Sequence, residues 1–582
     1  MARVLEECDR VSANFSADPV HDLRVTLRRC RSLADGMIAM DPDPDWKAMK
    51  KAGKQLFQRL GDLRDVQIMM EWIDQLHPAA SHGHAGDTKD SERSPSPTPQ
   101  ERKQEQENDA KGVETQDQDK DKSKNASDDQ GDIQASDAQP PRDPASHLLL
   151  EILKHREAEH KREARAALEE FDRKQWRQWS KTLPVRAGRV RPGSAVFKHL
   201  ALERWTAARE LHTRALRNRS QVAFHTLRIG IKRFRYIVEN FLPVEHKAWS
   251  GELKHMQDLL GEVHDIDVLW ATALGCHIFP DAGSRKRWHA RILEERTKRI
   301  DEYRQRTTGP GSLWDTWRSG LPQGQQIQQI ATQRMKLWAK VLDPDFAHSE
   351  RVARLALELY DGLNARGMIR GPNGAQNVAL QKDPSKNGAA SEARASLYAA
   401  ALLHDVGKVK GNKGHHKASR ELIKNHGTPL GWKDETMARA AIVARFHAGA
   451  LPTRSHKALR DLLPDEQRLT IQLAAILRLA NALDVAHDGH IHRVQIENEK
   501  PVKLRANGFL HKAAALGKNE AVIIAAEGFA DGTPTAQAVA AERYLLETVL
   551  RRPVVVKAMK VAVRPVRSYP VTSRLRTPSV TK

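Results

Sequence analysis

The chain has 582 residues, more than one hydrophobic core supports, so we expect about three or four folded units. Aromatic residues make up 5% and charged residues 29%, a balance that favours a helical protein over a β-sandwich. The formal net charge of +21 indicates attraction to a polyanion, which could be nucleic acid, an anionic membrane or polyphosphate. Charge alone does not choose among them.

The cysteines and the apolar runs bear on the compartment. Cys8, Cys30 and Cys276 have no metal-type spacing, and their odd number argues for a reducing compartment without a disulfide framework. The N-terminus has no apolar signal core, and no apolar run approaches the roughly 18 residues needed to cross a bilayer. We therefore expect a cytoplasmic protein that does not enter the membrane.

Residues 79–147 are predicted to form a disordered insertion. They are rich in Asp, Glu, Gln, Lys, Ser and Pro, contain no aromatic residue, and include only Val113 and Ile133 as large aliphatics up to Ser146. Such a segment cannot bury enough apolar area to offset the entropy lost on ordering. The Glu-, Arg- and Lys-rich residues 148–182 after it predict a helical hairpin.

Helical patterns on the two sides of the insertion form an internal repeat. Residues 21–31 and 225–235 both read H-x-x-R-x-x-x-[RK]-x-x-R, and residues 60–66 correspond to 260–266 at nearly the same offset. Two such helical units, each too small to be stable alone, are predicted to pack into one bundle. A lysine precedes the second motif in each copy, at Lys54 and Lys254.

The basic residues of each repeat are spaced so that they share one helix face, because positions i, i+3, i+7 and i+10 lie on one stripe. Arginine binds phosphate oxygens through two parallel hydrogen bonds, and four cations along roughly 15 Å of helix suit a linear polyanion. Nucleic acid is the competing ligand. Stacking aromatics near these helices are limited to Phe234 and Tyr236, and no helix-turn-helix or zinc-finger spacing occurs. The two stripes are His21, Arg24, Arg28 and Arg31, and His225, Arg228, Lys232 and Arg235.

Over roughly residues 1–320 these motifs resemble the CHAD domain, the conserved histidine α-helical domain. The resemblance implies two four-helix bundles around a basic channel that binds inorganic polyphosphate. The second copy departs from the first at Thr226, which stands where Asp22 does, and at His264, which stands where Arg64 does. The residues that the resemblance places in the channel are His21, Arg24, Arg28, Arg31, Lys54, Arg64, His225, Arg228, Lys232, Arg235 and Lys254.

From about Gln325 the pattern changes to apolar helices, followed by short strands around one helix after residue 490. Three apolar helices each present a ligand-type residue: His348 at a helix start, the pair His404 and Asp405 after an apolar run, and Asp484 at a helix end. A buried aspartate beside histidines is costly unless a cation or hydrogen bonds compensate it. These four residues predict a site for a divalent ion, namely Mn, Fe, Zn, Ni, Co or Mg.

Other polar residues near this site are candidates for catalysis. The histidines could bind a second ion or donate a proton to a leaving group, and the basic residues could neutralise phosphate charge. The candidates beside Asp405 itself are His415, His416, His447, Lys408, Arg445 and Arg478.

The pattern H…HD…D resembles the HD superfamily of metal-dependent phosphohydrolases. Over about 325–560 the chain is similar to the C-terminal HD region of the exopolyphosphatase/guanosine pentaphosphate phosphatase family, through residues 402–407, 414–419, 445–447 and 477–484. In that family polyphosphate is cleaved in actin-like domains, which this chain lacks. The alternative is therefore an HD fold without metal that serves packing, dimerisation or binding.

Together these motifs predict a mainly α-helical protein. It would have a duplicated four-helix-bundle CHAD domain, an all-α HD domain and a small C-terminal α/β subdomain. We expect it to bind inorganic polyphosphate, in the cytoplasm or at polyphosphate granules, and to hydrolyse polyphosphate or a guanosine polyphosphate; the alternative is a non-enzymatic polyphosphate-binding protein. Nucleic acid and membrane are disfavoured as partners, and a dimer stays open. The predicted segments are 1–78, 79–147, 148–320, 325–490, 491–562 and a basic tail at 563–582.

Overall fold

The computed structural model describes residues 1–13, 15–76, 143–369, 384–497 and 521–559. Within these ranges the protein is mainly α-helical with one small sheet near its C-terminal end, which confirms the predicted fold class. The predicted disordered insertion and basic tail lie outside the described residues, except that a helix already begins at Pro144. None of the described helices is long and apolar enough to cross a membrane.

The N-terminal half consists of helices whose ends follow from capping residues and from prolines at helix starts. Ser220, for example, accepts a hydrogen bond from the N–H of Ala223 and so begins the helix that carries the second basic motif. The helices are α1 (Arg3–Ala13), α2 (Ala17–Ile38), α3 (Pro44–Leu76), α4 (Pro144–Glu169), α5 (Arg173–Ala187), α6 (Ala195–Asn218), α7 (Gln221–Phe241), α8 (Pro243–Gly275), α9 (Ala282–Thr307) and α10 (Leu313–Ser319).

The chain divides into two compact units, and each has an apolar core of its own. The first comprises residues 1–61, 163–264 and 299–582, and the second comprises residues 62–162 and 265–298. The core of the second unit is built around Trp288, whose indole N–H donates to Asp143 at 2.8 Å.

Helices α2 and α7, which carry the two basic motifs, pack against each other in the first unit. Leu23 and Leu27 on α2 and Leu227 and Ile231 on α7 are buried, and the basic residues between them are turned away from this core. The helical period of the two motifs therefore separates an apolar side from a basic side, as their spacing predicted.

A second group of helices, the C-terminal helical region, follows in the same unit. Its central helix is buried along almost its whole length, from Leu469 to Leu483. A proline at its first position and Asp484 at its C-cap define its ends. The helices are α11 (Gln325–Leu342), α12 (Phe346–Asn364), α13 (Pro384–Leu403), α14 (His415–His426), α15 (Asp434–Arg445), α16 (Lys457–Arg460) and the central α17 (Pro464–Leu483).

A buried polar network connects α6 to the C-terminal helical region. Arg334 on α11 forms an ion pair with Glu203 on α6 at 2.7 Å, and Glu203 also accepts a hydrogen bond from the N–H of Leu430 at 3.2 Å. His199, one turn earlier on α6, bonds to the carbonyl oxygen of Leu430 at 2.9 Å. Because each charge in this network has a partner, it fixes the loop between α14 and α15 at low energetic cost.

The last described segments form a three-stranded sheet with the order β1-β2-β3, where β1 is Arg493–Ile496, β2 is Val522–Glu527 and β3 is Val554–Ala558. The first pair is antiparallel and the second is parallel. Helix α18 (Pro534–Leu550) connects β2 to β3 and packs on α17. The predicted strands and helix of this subdomain are thus present among the described residues.

A short 3₁₀ turn, Val406–Lys410, connects α13 to the segment before α14. Gly407 in this turn donates its N–H to the hydroxyl of Ser419 at 2.9 Å, and that hydroxyl donates to the carbonyl oxygen of His404 at 2.5 Å. A Cβ atom at position 407 would overlap the carbonyl oxygen of His415 and lie 2.5 Å from the N atom of Ser419. Only glycine therefore allows the turn to approach the start of α14 this closely.

We expect Gly407→Ala to lower the thermal unfolding midpoint, by an amount equivalent to about 1–3 kcal/mol, because the added methyl group displaces backbone. Gly251→Ala is the matched control. No atom of the described residues lies within 4 Å of a Cβ there, and alanine in a helix is favoured by about 0.5–1 kcal/mol. Circular dichroism melting of both variants measures the difference, and an unchanged midpoint for Gly407→Ala would contradict the steric argument.

Candidate functional site: a histidine–aspartate cluster and a basic helix surface

A cluster of histidine and aspartate side chains lies where several helices of the C-terminal helical region begin or end. His348 is in the first turn of α12, where the N-cap Asp345 accepts a hydrogen bond from its backbone N–H at 3.2 Å. His404 and Asp405 lie between the end of α13 and the 3₁₀ turn. The remaining members are also at helix ends: His415 begins α14, His447 follows α15 and Asp484 is the C-cap of α17.

Three imidazole rings of this cluster are held by the same kind of hydrogen bond. Each ring donates its Nδ1–H to the carbonyl oxygen three residues earlier, which leaves the Nε2 lone pair free to bind a ligand. The Nδ1–oxygen distances are 2.7 Å from His404 to Ala401, 2.8 Å from His415 to Asn412 and 2.7 Å from His447 to Ala444.

The three free Nε2 atoms converge on the carboxylate of Asp405. Their distances to its oxygens are 3.4 Å for His404, 3.3 Å for His415 and 3.6 Å for His447. The Nε2 atoms of His415 and His447 are only 3.0 Å apart, and two lone pairs at this distance repel unless a cation or proton lies between them. The ammonium of Lys408 contacts Oδ2 of Asp405, the oxygen that also faces His404, at 2.5 Å, whereas His415 and His447 face Oδ1.

The protonation states of the cluster favour metal binding over a salt bridge. Burial lowers the pKa of His404 and lowers that of His447 well below its ordinary value, so both rings are neutral near pH 7. Burial opposes ionisation of Asp405, but His404, His447 and Lys408 together hold its pKa below the ordinary value. Neutral imidazoles around an ionised carboxylate are the forms in which these groups bind divalent ions.

His348 and Asp484 form an adjoining part of the cluster. The Nδ1 atom of His348 is 2.7 Å from Asp484, and its Nε2 atom is 3.0 Å from the side-chain oxygen of Asn481. Burial opposes ionisation of Asp484, but His348 and Arg351 outweigh it and lower its pKa. The ring of His487 stacks on His348 with centroids 3.8 Å apart. Asp484 thus orients His348 and pairs with Arg351.

The donor atoms fit divalent metal in two overlapping groups that share Asp405. One comprises His348, His404 and Asp405 and the other Asp405, His415 and His447, and within each group the donor atoms lie within 4.8 Å of one another. The buried Nε2 atom of His404 has no hydrogen-bond partner among the described residues, as expected of a metal ligand. The structure therefore brings together three of the four predicted ligands, whereas Asp484 contacts the Nδ1 atom of His348.

The other predicted catalytic residues differ in their surroundings. Arg478 is buried and fully engaged, because it pairs with Glu542 at 2.6 Å and donates to the carbonyl oxygens of Phe446 and Gly449. It therefore holds the loop after α15. Lys408 is paired with Asp405, as described above. His416 and Arg445 lie beside the cluster, where the His416 and His447 ring centroids are 6.4 Å apart.

Sequence analysis did not identify Asn481, Arg351, His487 or Ser419 as part of the cluster. Asn481 could have been found, because it lies one helical turn before Asp484 on the same helix. The other three depend on contacts between distant segments, such as that of Arg351 with Asp484 at 2.9 Å. No local sequence pattern marks those contacts.

The basic surface formed by α2 and α7 is the second candidate site. The ammonium of Lys232 is surrounded by cations: burial and the charges of Arg228, Arg28, Arg24 and Arg31 lower its pKa to about 8. Such mutual repulsion is costly for the free protein and is relieved when a polyanion binds.

Two aromatic rings support the side chains of this surface. The guanidinium of Arg31 lies 4.7 Å from the ring centroid of Phe57, and that of Arg28 lies 5.8 Å from the centroid of Tyr236. Cation–π contacts of this kind hold basic side chains in place without neutralising them.

The remaining predicted polyphosphate-binding residues are distributed unequally. His21, Lys54, His225 and Lys254 are exposed. Arg235 is half-buried and lies 3.9 Å from Glu239. Arg64 belongs to the second compact unit, where it pairs with Glu71 at 2.8 Å.

His225 and His264 form a close pair in the first unit. Their Nδ1 atoms are 3.2 Å apart and their ring centroids are 4.6 Å apart. Burial and the charge of Arg228 lower the pKa of His225, and burial, Arg228, His225 and Lys232 lower that of His264 to about 4. Both rings are therefore neutral near pH 7 in the free protein.

Two family models match separate parts of the chain. Residues 1–274 match the model of the CHAD domain, and residues 327–516 match the model of the Ppx/GppA phosphatase, domain III. No curated protein matches the chain. The two resemblances inferred from sequence motifs are therefore confirmed, and the chain joins a CHAD domain to a Ppx/GppA phosphatase domain III.

Proposed function

We propose that this protein binds inorganic polyphosphate through the basic surface of its CHAD domain and hydrolyses a condensed phosphate at the histidine–aspartate cluster. The single observation that carries the catalytic part is the convergence of three Nε2 lone pairs on the ionised Asp405. Such an arrangement is unfavourable without a cation. The presence of a phosphatase-related domain in the same chain as a CHAD domain supports a phosphate-rich substrate.

His348, His404 and Asp405 would hold one divalent ion, and Asp405, His415 and His447 would hold a second. A bound divalent ion polarises a phosphoryl oxygen and lowers the pKa of water at the site. The carbonyl oxygens of Ala401, Asn412 and Ala444 fix the histidine tautomers that this requires.

Hydrolysis also needs a group that moves a proton and is not itself a metal ligand. The oxygen of water forms a bond to phosphorus and gives up a proton, the bridging P–O bond breaks, and the leaving phosphate accepts a proton. His416 is the candidate to carry the proton from the water to the leaving phosphate, because it adjoins His415 at a centroid distance of 5.6 Å and belongs to neither ligand group.

Two substrates suit this chemistry: polyphosphate itself, which the CHAD domain would concentrate near the site, and a guanosine polyphosphate. The alternative is a polyphosphate-binding protein whose HD region is inert. The engagement of Asp484 by Arg351 favours this alternative, because it removes one predicted ligand from the metal site.

The Asp405→Ala variant separates the enzyme from the inert alternative. We expect wild-type protein, purified with divalent metal, to hold metal stoichiometrically and to release phosphate, and Asp405→Ala to lose both, because Asp405 is common to the two ligand groups. Elemental analysis and phosphate release from polyphosphate and guanosine polyphosphates measure this. Asp461→Ala, which removes an exposed carboxylate of the same region, is the control. A wild-type protein that binds polyphosphate but neither holds metal nor releases phosphate would refute the catalytic proposal.

Arg28→Gln tests the basic surface. We expect it to weaken polyphosphate binding and to reduce the slope of log affinity against log salt by about 1, as for loss of one phosphate contact. Arg29→Gln is the matched control, because Arg29 is the next residue on α2, is 61% exposed and lies 3.5 Å from Glu239. Equal effects of the two substitutions would show nonspecific attraction, and competition with duplex DNA at matched salt tests the nucleic-acid alternative.

Polyphosphate binding is expected to strengthen as pH falls. In the free protein the pKa of His264 is about 4, partly because Arg228 and Lys232 repel its proton, and a bound polyanion relieves this repulsion and raises the pKa. The complex therefore holds more protons than the free protein between pH 4 and about 6.5, the ordinary histidine value, and affinity rises as pH falls through this range.

Calorimetry with long-chain polyphosphate in two buffers of different ionisation enthalpy measures the proton uptake. The double substitution His225→Asn and His264→Asn should remove most of this proton uptake. His255→Asn should not, because His255 lies on the same helix as His264 but pairs with Glu302 on α9. Binding without proton uptake would contradict the assignment of the pair to the binding surface.

A further inference from the structure

A group of basic side chains lies beside the histidine–aspartate cluster. His416 and Arg420 are one helical turn apart on α14, and Arg445 is the last residue of α15. His416 adjoins His415 and His447 of the metal-ligand group, with centroid distances of 5.6 Å and 6.4 Å. The group therefore begins at the edge of the proposed reaction centre.

These side chains contain buried donors without acceptors. The Nε atom of Arg420 and the Nη1 atom of Arg445 are buried and have no hydrogen-bond partner among the described residues. Arg420 has one partial partner, because its Nη1 atom contacts the exposed Glu421 at 3.0 Å. Unsatisfied guanidinium N–H groups are costly, and an anion between the two arginines would satisfy both.

The charges of Arg420 and Arg445 are close enough to repel each other, and an anion between the two side chains would relieve this repulsion.

The supporting loop is rigid enough to hold this geometry. Arg478 donates to the carbonyl oxygens of Phe446 and Gly449, which fixes the turn after α15. Gly449 lies under the ring of His416, and a Cβ atom there would be 3.2 Å from the ring. The fold therefore positions the turn after α15 and the ring of His416 before any ligand binds.

We propose that His416, Arg420 and Arg445 form an anion subsite. It would bind the phosphate next to the one at the proposed metal site around Asp405. The substrate would then carry at least two phosphates joined by an anhydride bond, as in polyphosphate, pyrophosphate or a nucleoside polyphosphate. A phosphate monoester would leave the subsite without its anion. This inference rests on the proposed function, and it adds Arg420 and a substrate requirement to it.

The test compares substrates with and without a second phosphate. We expect Arg420→Gln and Arg445→Gln each to raise KM for tripolyphosphate by roughly tenfold or more, as loss of a charged hydrogen bond implies. The Arg420→Gln variant should leave KM for p-nitrophenyl phosphate and the metal content unchanged. Arg460→Gln, which removes an arginine that is 67% exposed in the same region, is the matched control. An equal loss with both substrates, or no loss with tripolyphosphate, overturns the proposal.

A binding measurement keeps this test separate from the proposed catalysis. Calorimetry would use full-length protein carrying Arg28→Glu and Lys232→Glu, which disable the CHAD surface, with tripolyphosphate as the probe. Binding that Arg420→Gln or Arg445→Gln abolishes and that Arg445→Lys partly restores supports the subsite even if no substrate is hydrolysed, in which case the proposed catalysis alone fails. Absence of binding in this background overturns the subsite, whereas metal content and phosphate release still decide on catalysis.

Discussion

The C-terminal helical region depends on how a buried carboxylate is accommodated. Asp405 is 2% exposed and has three imidazole nitrogens within 3.6 Å, so its charge would be unfavourable without a compensating cation. Lys408 supplies one positive charge on one side. On the other side the lone pairs of His415 and His447 face each other, which makes the arrangement one that binding a cation stabilises. His404 and His447 follow helix ends, where the terminal carbonyl oxygens of Ala401 and Ala444 are free to orient their imidazoles.

The basic surface likewise contains groups that a bound ion would stabilise, but here the groups are positive and the ligand is an anion. Lys232 lies among four arginines, so folding brings like charges together and a polyanion recovers the cost when it binds. The apolar packing of Leu23 and Leu27 against α7 keeps the helix in place despite this repulsion. In both sites folding brings groups together that repel one another, and a bound phosphate-rich ligand in the one or a metal ion in the other would relieve this repulsion.

The parts of the structure that local spacing determines could be predicted from sequence. The basic stripes on α2 and α7, the helix that ends at Asp484 and the strands around α18 follow from periodicity, and the structure has them. The side of the carboxylate that each group occupies could not be predicted, because it depends on contacts between distant segments. Arg478 looked like a phosphate ligand and instead pairs with Glu542, sixty-four residues later in the chain. Arg351 likewise forms an ion pair with Asp484, which is distant in sequence.

The hydroxyl of Ser419 has a consequence for the evolution of the site. It accepts from Gly407 and donates to His404, and a hydroxyl is the smallest side-chain group that can do both. Alanine at 419 would leave two buried backbone groups unsatisfied, and a larger residue would meet the turn whose approach requires glycine at 407. Positions 407 and 419 are therefore constrained as a pair, and neutral drift at either one is limited by the other.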